Sequence, residues 1–287
     1  VNALTVVRAG ALTTVQDLGR PGHAHLGVPR SGALDEPAHR LANRLVGNPV
    51  EHATLETTLS GCAVRADAAV TVAVTGAPCP VRVGGRPVAW GAPVRVPAGA
   101  VLEVGAATAG LRSYVAFAGG VAVPPVLGSR SRDLLSGLGP EPLSDGARLP
   151  LGAPSGAPAG VDAVPCGALP LGELVLPVVP GPRADWFAPE AVGVLAGGGF
   201  RVSSASNRIG LRVDGPGLPR VRGGELPSEG LVRGAVQVPP DGRPVVFLAD
   251  HPTTGGYPVI GVVPGPSLPG AAQSPPGTPI RFVLRRG

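Results

Sequence analysis

Gln237-Val-Pro-Pro-Asp-Gly-Arg-Pro-Val-Val-Phe-Leu-Ala-Asp250-His-Pro-Thr-Thr-Gly-Gly-Tyr-Pro258 holds two apolar runs, a turn and a dense polar loop. The runs at 235–238 and 245–249 flank Pro239-Pro-Asp-Gly242, which is turn chemistry, so the segment reads as a β-hairpin. Its second strand delivers Asp250 to its end. Beyond it stand Thr253, Thr254, Gly255, Gly256 and Tyr257, the last being one of only two tyrosines in the chain. Hydroxyls supply donors and acceptors, and glycines let a ligand approach the main chain, so such a loop can bind an oxyanion or a polar ring. It is equally what a tight connection looks like when its threonines cap their own backbone.

The rest of the chain is punctuated in the same way. Hydrophobic residues make up 44% of the 287 but aromatics only 3%, so the core must be built from Val, Leu and Ala. The 45 glycines and 36 prolines are spread between apolar runs, as in a turn-rich β protein. Short β-branched runs at 4–8, 69–74, 81–83, 94–96, 101–104 and 113–117 read as strands, as do 174–179, 200–204, 211–213 and 280–284. Spacings of about 8–12 residues suit a barrel or sandwich. Residues 10–25 read as a polar loop. One helix is expected near 35–46, where Leu34, Ala38, Leu41, Ala42 and Leu45 fall on one face, with Asp35 as N-cap and Pro37 in the first turn. Gly47, Asn48 and Pro49 stop it. The stretch 150–170 is nearly all Ala, Gly, Pro and small polar residues and reads as a linker or surface excursion. The expectation is a mainly β protein with an N-terminal β-rich domain over 1–165 and a C-terminal β-barrel domain over 166–287.

All 24 basic residues are arginine. Without lysine, a Schiff-base lysine, a Walker lysine and a covalently attached biotin are all excluded on this chain. The net charge of +5 is scattered, with Arg285-Arg286 the only adjacent pair, and stacking aromatics are scarce, which argues against nucleic acid and for small acidic substrates. Cys62, Cys79 and Cys166 form no C-x-x-C pair, as expected of a reducing compartment. The first residues show no basic region before an apolar core, and no run of about 18 apolar residues occurs, so a cytoplasmic protein with no membrane partner is expected.

Several polar clusters are candidates for chemistry. Gln16, Asp17 and Arg20 put an amide, a carboxylate and a guanidinium between turn residues, where Arg20 could take a carboxylate or phosphate and Gln16 could read a ring edge; a solvated Asp17–Arg20 pair is the plainer alternative. Gly128-Ser-Arg130-Ser-Arg-Asp133 is a second such cluster. Arg208 begins a strand-like run, and Glu225, Ser228 and Glu229 sit in a turn-rich stretch. Glu225, Glu229 and Asp250 are the carboxylates to try first as general base or magnesium ligand. His23 and His25 lack further ligands at zinc spacing, and no protein metal site is expected. No G-x-S-x-G, G-x-G-x-x-G after a strand, or H-E-x-x-H is present, which disfavours elbow-type hydrolases and Rossmann enzymes.

Eight ordered motifs together resemble the biotin-dependent carboxyltransferase family: Thr13-Thr-Val-Gln-Asp-Leu-Gly-Arg20, Gly27-Val-Pro-Arg-Ser-Gly-Ala-Leu-Asp35, Leu41-Ala-Asn-Arg-Leu-Val-Gly-Asn48, Ala118-Gly-Gly120, Gly128-Ser-Arg-Ser131, Ser228-Glu-Gly230, Gln237-Val-Pro-Pro240 and Thr253-Thr-Gly-Gly-Tyr-Pro258. That family includes the C subunit of 5-oxoprolinase and the allophanate hydrolase subunit 2 type domain of urea carboxylase. The resemblance implies two cyclophilin-like β-barrel units and, as partners, proteins like the A and B subunits of 5-oxoprolinase. It further implies ATP-dependent opening of 5-oxoproline to glutamate, with ATP and magnesium. Sister branches carboxylate urea from carboxybiotin or antagonise an inhibitor of a histidine kinase. Carried onto this chain, the resemblance makes Asp250, Glu229 and Tyr257 catalytic candidates. Gln16, Asp17, Arg20, Arg130, Arg208, Ser228, Gln237, Thr253, Thr254, Gly255 and Gly256 become binding candidates. At position 252, where the family often carries Gln, this chain has Pro252.

Overall fold

The computed structural model describes residues 2–160, 169 and 172–285. The chain is mainly β, and its backbone contacts divide it into two compact units: residues 1–20, 31–133 and 137–169 form one, and residues 21–30, 134–136 and 170–287 the other.

The first unit holds β1 (Ala3–Arg8), β2 (Leu12–Gln16), β3 (Thr54–Thr58), β4 (Cys62–Ala66), β5 (Val70–Gly76), β6 (Val81–Val83), β7 (Arg86–Val88), β8 (Val94–Val96), β9 (Val101–Val104), β10 (Arg112–Phe117) and β11 (Arg148–Pro150). Six pair in the order β11-β1-β4-β9-β6-β7 and five in the order β2-β3-β10-β5-β8. Both sheets feed one core, with Leu4, Val64 and Leu102 from the first and Val15, Leu55, Val72 and Val115 from the second. Each such fully buried Val or Leu contributes about 1.5–3 kcal/mol, so many aliphatic side chains replace the few aromatic ones.

One expected loop is a strand. β2 lies inside the 10–25 stretch because Thr13, Thr14 and Val15 are β-branched and pair with β3, setting the Thr13 and Thr57 hydroxyls 2.9 Å apart. The helix α1 (Glu36–Leu45) is where the periodicity places it, and the Asp35 carboxylate accepts from the Ala38 N–H at 3.1 Å. Its buried face is less apolar than expected, because His39 and Asn43 are buried beside Ala38, Ala42 and Leu45. The motif residue Asn48 explains how the helix end is held. Its amide donates to the Asn43 Oδ1 and the Phe117 carbonyl, and its Oδ1 accepts from the Gly119 N–H.

The second unit closes on itself. Its strands are β12 (Leu174–Pro180), β13 (Phe200–Val202), β14 (Gly210–Asp214), β15 (Glu229–Gly230), β16 (Ala235–Gln237), β17 (Val245–Phe247), β18 (Thr254–Gly255), β19 (Val259–Val262) and β20 (Pro279–Leu284), with two short helices, α2 (Ala191–Gly197) and α3 (Leu268–Ala272). Seven of the strands form a closed barrel in the order β12-β19-β16-β17-β14-β13-β20. Parallel pairing of β12 with β20 seals it, and Phe200 and Phe282 pack edge to face at 5.4 Å. The hairpin is β16 and β17 in antiparallel register, with Val236 opposite Val246.

Cys62 and Cys79 are buried free thiols, and burial pushes Cys62 up to about 12, which removes its nucleophilic form at neutral pH. Residues 161–168 and 170 of the expected linker, Cys166 among them, lie outside the described residues. Among the described residues no helix is long and apolar enough to cross a membrane.

Candidate functional site

In the second unit, β15 and β18 pair antiparallel, with Glu229 opposite Gly255. This small ribbon brings three of the sequence candidates, Glu229, Gly255 and Tyr257, onto the wall of one hollow of about 220 Å³, together with Pro182, Leu231 and Val259. The apolar wall and few polar groups are the usual makeup of a small-molecule site, and the volume suits a small ring. Main-chain bonds fix the ribbon: the Leu226 N–H donates to the Gly256 carbonyl at 2.8 Å and the Leu231 N–H to that of Thr253 at 2.8 Å. Gln237 donates from Nε2 to the Tyr257 carbonyl at 3.1 Å, so this candidate braces the loop from beneath.

One of the two glycines is a packing requirement here. A Cβ on Gly256 would lie 2.9 Å from the Leu226 carbonyl oxygen, closer to backbone than a side chain permits, whereas one on Gly255 would meet only the movable ends of Leu231 and Gln237, at 2.7 and 2.8 Å.

Electrostatics sets the states of the two acidic groups. Arg183, just after β12, forks onto Glu229, donating from Nε to Oε2 at 3.0 Å and from Nη2 to Oε1. This pair holds the Glu229 carboxyl below its ordinary range, so it stays ionised. The Glu225 carboxylate and its hydrogen bond raise Tyr257, which stays a phenol. The wall of the hollow thus includes an ionised residue, Glu229, and a phenol, Tyr257, whose hydroxyl is bonded to Glu225 outside the lining. Arg183 is visible only as a partner, since the Pro180-Gly-Pro-Arg183 turn carries no signal of its own, and Glu225, a candidate base by position, is the partner of Tyr257.

Asp250 and Arg208 meet inside the same unit, and neither opens onto that hollow. Arg208 donates to Asp250 from Nε at 2.9 Å and from Nη2 at 3.0 Å, with side-chain exposures of 1% and 0%. The Leu134 N–H also donates to Asp250 Oδ2 at 3.0 Å. A bidentate buried pair of this kind anchors the loop. Ser228 and Thr254 are exposed, and Thr253 is half-buried.

In the first unit, two sequence clusters converge. Asp17 Oδ1 accepts from the Gly19 N–H and the Ser129 and Ser131 hydroxyls, and Oδ2 accepts from the Arg130 N–H, all within 2.6–2.8 Å. Arg20, 1% exposed, donates to the carbonyls of Val126 and Ser131. Arg130 Nε donates to the Val123 carbonyl at 2.7 Å. Leu127 and Gly128 carry φ of 51° and 78°, the backbone of a mirror-image hairpin turn, which presents the two serines to Asp17. Gln16 Nε2 donates to Thr14 Oγ1 and the Arg132 carbonyl, while its Oε1 has no partner among the described residues. The expected phosphate-facing guanidiniums Arg20 and Arg208 are thus buried against protein oxygens, because each sits at a junction whose acceptors would otherwise be unsatisfied.

No group of three His, Cys, Asp or Glu side chains that could hold a metal occurs among the described residues. The expected magnesium role for Asp250 does not fit, because its side chain is fully buried and its oxygens are taken by Arg208 and the Leu134 N–H.

Residues 26–284 match the model of the carboxyltransferase domain, subdomain A and B, and the chain belongs to that family. It is 40% identical to the C subunit of 5-oxoprolinase from Escherichia coli (strain K12) over 283 residues, covering 98% of this chain and 90% of that protein. The crystal structure of the K. lactis urea amidolyase superposes with a TM-score of 0.90 at 32% identity over 98% of this chain, but the match spans only 18% of that protein. Another solved relative, 38% identical with a TM-score of 0.86, is matched over 56% of its length.

Proposed function

We propose that this chain is the C subunit of a 5-oxoprolinase, acting with A-like and B-like partner subunits to open 5-oxoproline to glutamate at the expense of ATP. The observation that carries this reading is coverage. The 40% identity runs over 90% of a protein named as such a subunit, whereas the urea amidolyase is matched only as a small part of a much longer chain. The absence of lysine adds that no biotin can be attached here.

In this reading the Glu229–Tyr257 hollow holds the lactam. Glu229, kept ionised by Arg183, accepts the ring N–H, and the apolar wall of Leu231 and Val259 excludes water from the ring face. The γ-phosphoryl group passes from ATP to the amide oxygen. One water then attacks the carbon, the C–N bond breaks as the ring nitrogen takes a proton through the Tyr257 hydroxyl, and the γ-glutamyl phosphate left behind is hydrolysed by a second water to glutamate and phosphate. Glu225 orients that hydroxyl. Since Arg20 and Arg208 are spent on protein acceptors, the nucleotide phosphates and any magnesium are handled by the partners.

The test is reconstitution. The chain is co-purified with the A- and B-like subunits and glutamate is measured with 5-oxoproline and ATP present; formation that needs all three components is the expected result. A complete complex that makes no glutamate overturns the reading. The second reading, acceptor-side carboxyl transfer, rests on the TM-score of 0.90 to the urea amidolyase, and predicts bicarbonate fixation that depends on a separate biotin carrier.

A further inference from the structure

A second hollow in the barrel unit, of about 230 Å³, lies on the outer face of β14 and under the hairpin turn. Its lining includes two arginines and two aspartates: Arg212 and Arg243, Asp214 and Asp241. Arg212 and Asp214 stand two apart on β14, where Leu211 and Val213 point into the barrel, so both charges project outward. Asp241 and Arg243 come from the turn between β16 and β17. Opposite charges sharing so small a space would ordinarily close on one another. Among the described residues none of these four side chains forms an ion pair.

Hydrogen bonds fix the backbone of the two walls that carry them. The Gly242 N–H donates to the Pro239 carbonyl at 3.0 Å, the Leu218 N–H donates to the Gly242 carbonyl at 2.8 Å, and the Asp241 carboxylate accepts from the Arg243 N–H at 3.1 Å, so the turn is tied at both ends. On the other wall the Ser206 hydroxyl accepts from the Arg212 N–H at 3.0 Å, and β14 pairs with β17 through Arg212 and Val245.

We propose that this hollow binds a free α-amino acid as its zwitterion, the guanidiniums of Arg212 and Arg243 taking the carboxylate and the carboxylates of Asp214 and Asp241 the ammonium group. A lone anion would satisfy the arginines and leave two carboxylates facing it, and a lone cation would do the reverse; a zwitterion satisfies both. The site is separate from the Glu229 hollow and stands without the 5-oxoprolinase reading. If that reading holds, L-glutamate is the reaction product and an available occupant.

Calorimetric titration of the full chain with L-glutamate and glycine tests this, with N-acetylglycine as an anion-only and glycinamide as a cation-only probe. Saturable binding of the two zwitterions is expected, weakened at least tenfold in Arg212→Gln and in Asp214→Asn, with the two control probes at least tenfold weaker. Both substituted residues are exposed, and an unchanged circular dichroism spectrum confirms that each variant folds. Equal binding of N-acetylglycine, no binding of either zwitterion, or binding insensitive to both substitutions overturns the proposal. None of these outcomes depends on turnover, so failure here leaves the proposed reaction standing, and failure of the reaction leaves this site standing.

Discussion

Asp250 and Glu229 are both carboxylates in a turn-rich stretch, yet their surroundings give them different work. Asp250 is fully buried against Arg208, and removing one partner strands the other charge. Asp250→Ala is therefore expected to cost about 3–5 kcal/mol of stability, seen as a lowered denaturant midpoint, while paired replacement of Arg208 and Asp250 by leucine loses much less. Glu229 sits half-exposed at the hollow, so Glu229→Gln should leave the midpoint nearly unchanged and lower kcat/KM in the reconstituted complex at least tenfold. Tyr257→Phe removes only a hydroxyl and should lower kcat more than it raises KM, because the proton to the ring nitrogen matters only as the C–N bond breaks. A Glu229→Gln complex with full activity would move the chemistry out of this hollow. The sequence made all three residues candidates by type and position. It could not separate an anchor from a site carboxylate, because Arg183 and Arg208 lie 46 and 42 residues from the groups they hold.

At the scale of elements, the hairpin and α1 were legible because their signals are local. The Pro-Pro-Asp-Gly turn, the Asp35 cap and the apolar spacing each act within a few residues. β2 was not, since Thr13 to Val15 becomes a strand only by pairing with β3, some forty residues on. The family-like motif ending in Asn48 gains a physical reason at this scale. One amide side chain joins the end of α1 to the end of β10 through three hydrogen bonds. Asn48→Ala leaves those buried partners unsatisfied and should destabilise the chain by about 2–3 kcal/mol, read from chemical denaturation, with Asn48→Asp recovering only the bond from the Gly119 N–H.

For the whole molecule, the sharpest expectation concerns acid. Burial pushes His39 down to about 4 from its ordinary 6.5, with Nε2 facing the Val50 carbonyl at 3.0 Å and Nδ1 facing the Thr54 hydroxyl at 2.9 Å. A carbonyl can only accept, so Nε2 carries the proton and Nδ1 accepts from Thr54. The unfolded chain takes a proton near pH 6.5 that the folded chain refuses until about 4. Stability from this group is complete above pH 6.5 and falls as pH drops through that window, by a total on the order of 3 kcal/mol. Denaturant midpoints measured from pH 7.5 to 4.5 should show the slope, and His39→Gln should flatten it; an equal slope in the variant would assign the acid sensitivity elsewhere.

Sequence by itself determined that the chain is β-rich, that its core is aliphatic, where the hairpin and the helix fall and that no lysine chemistry occurs. These follow from composition and from forces acting between neighbours along the chain. Only the tertiary structure decided what the motif residues hold together. It joined Asp17 to Ser129 and Ser131 and Asp250 to Arg208, leaving Glu229 and Tyr257 on the wall of a hollow. A charged group's role depends on whether its counter-charge reaches it and water leaves it, and both are settled by residues distant in sequence that the sheets bring together.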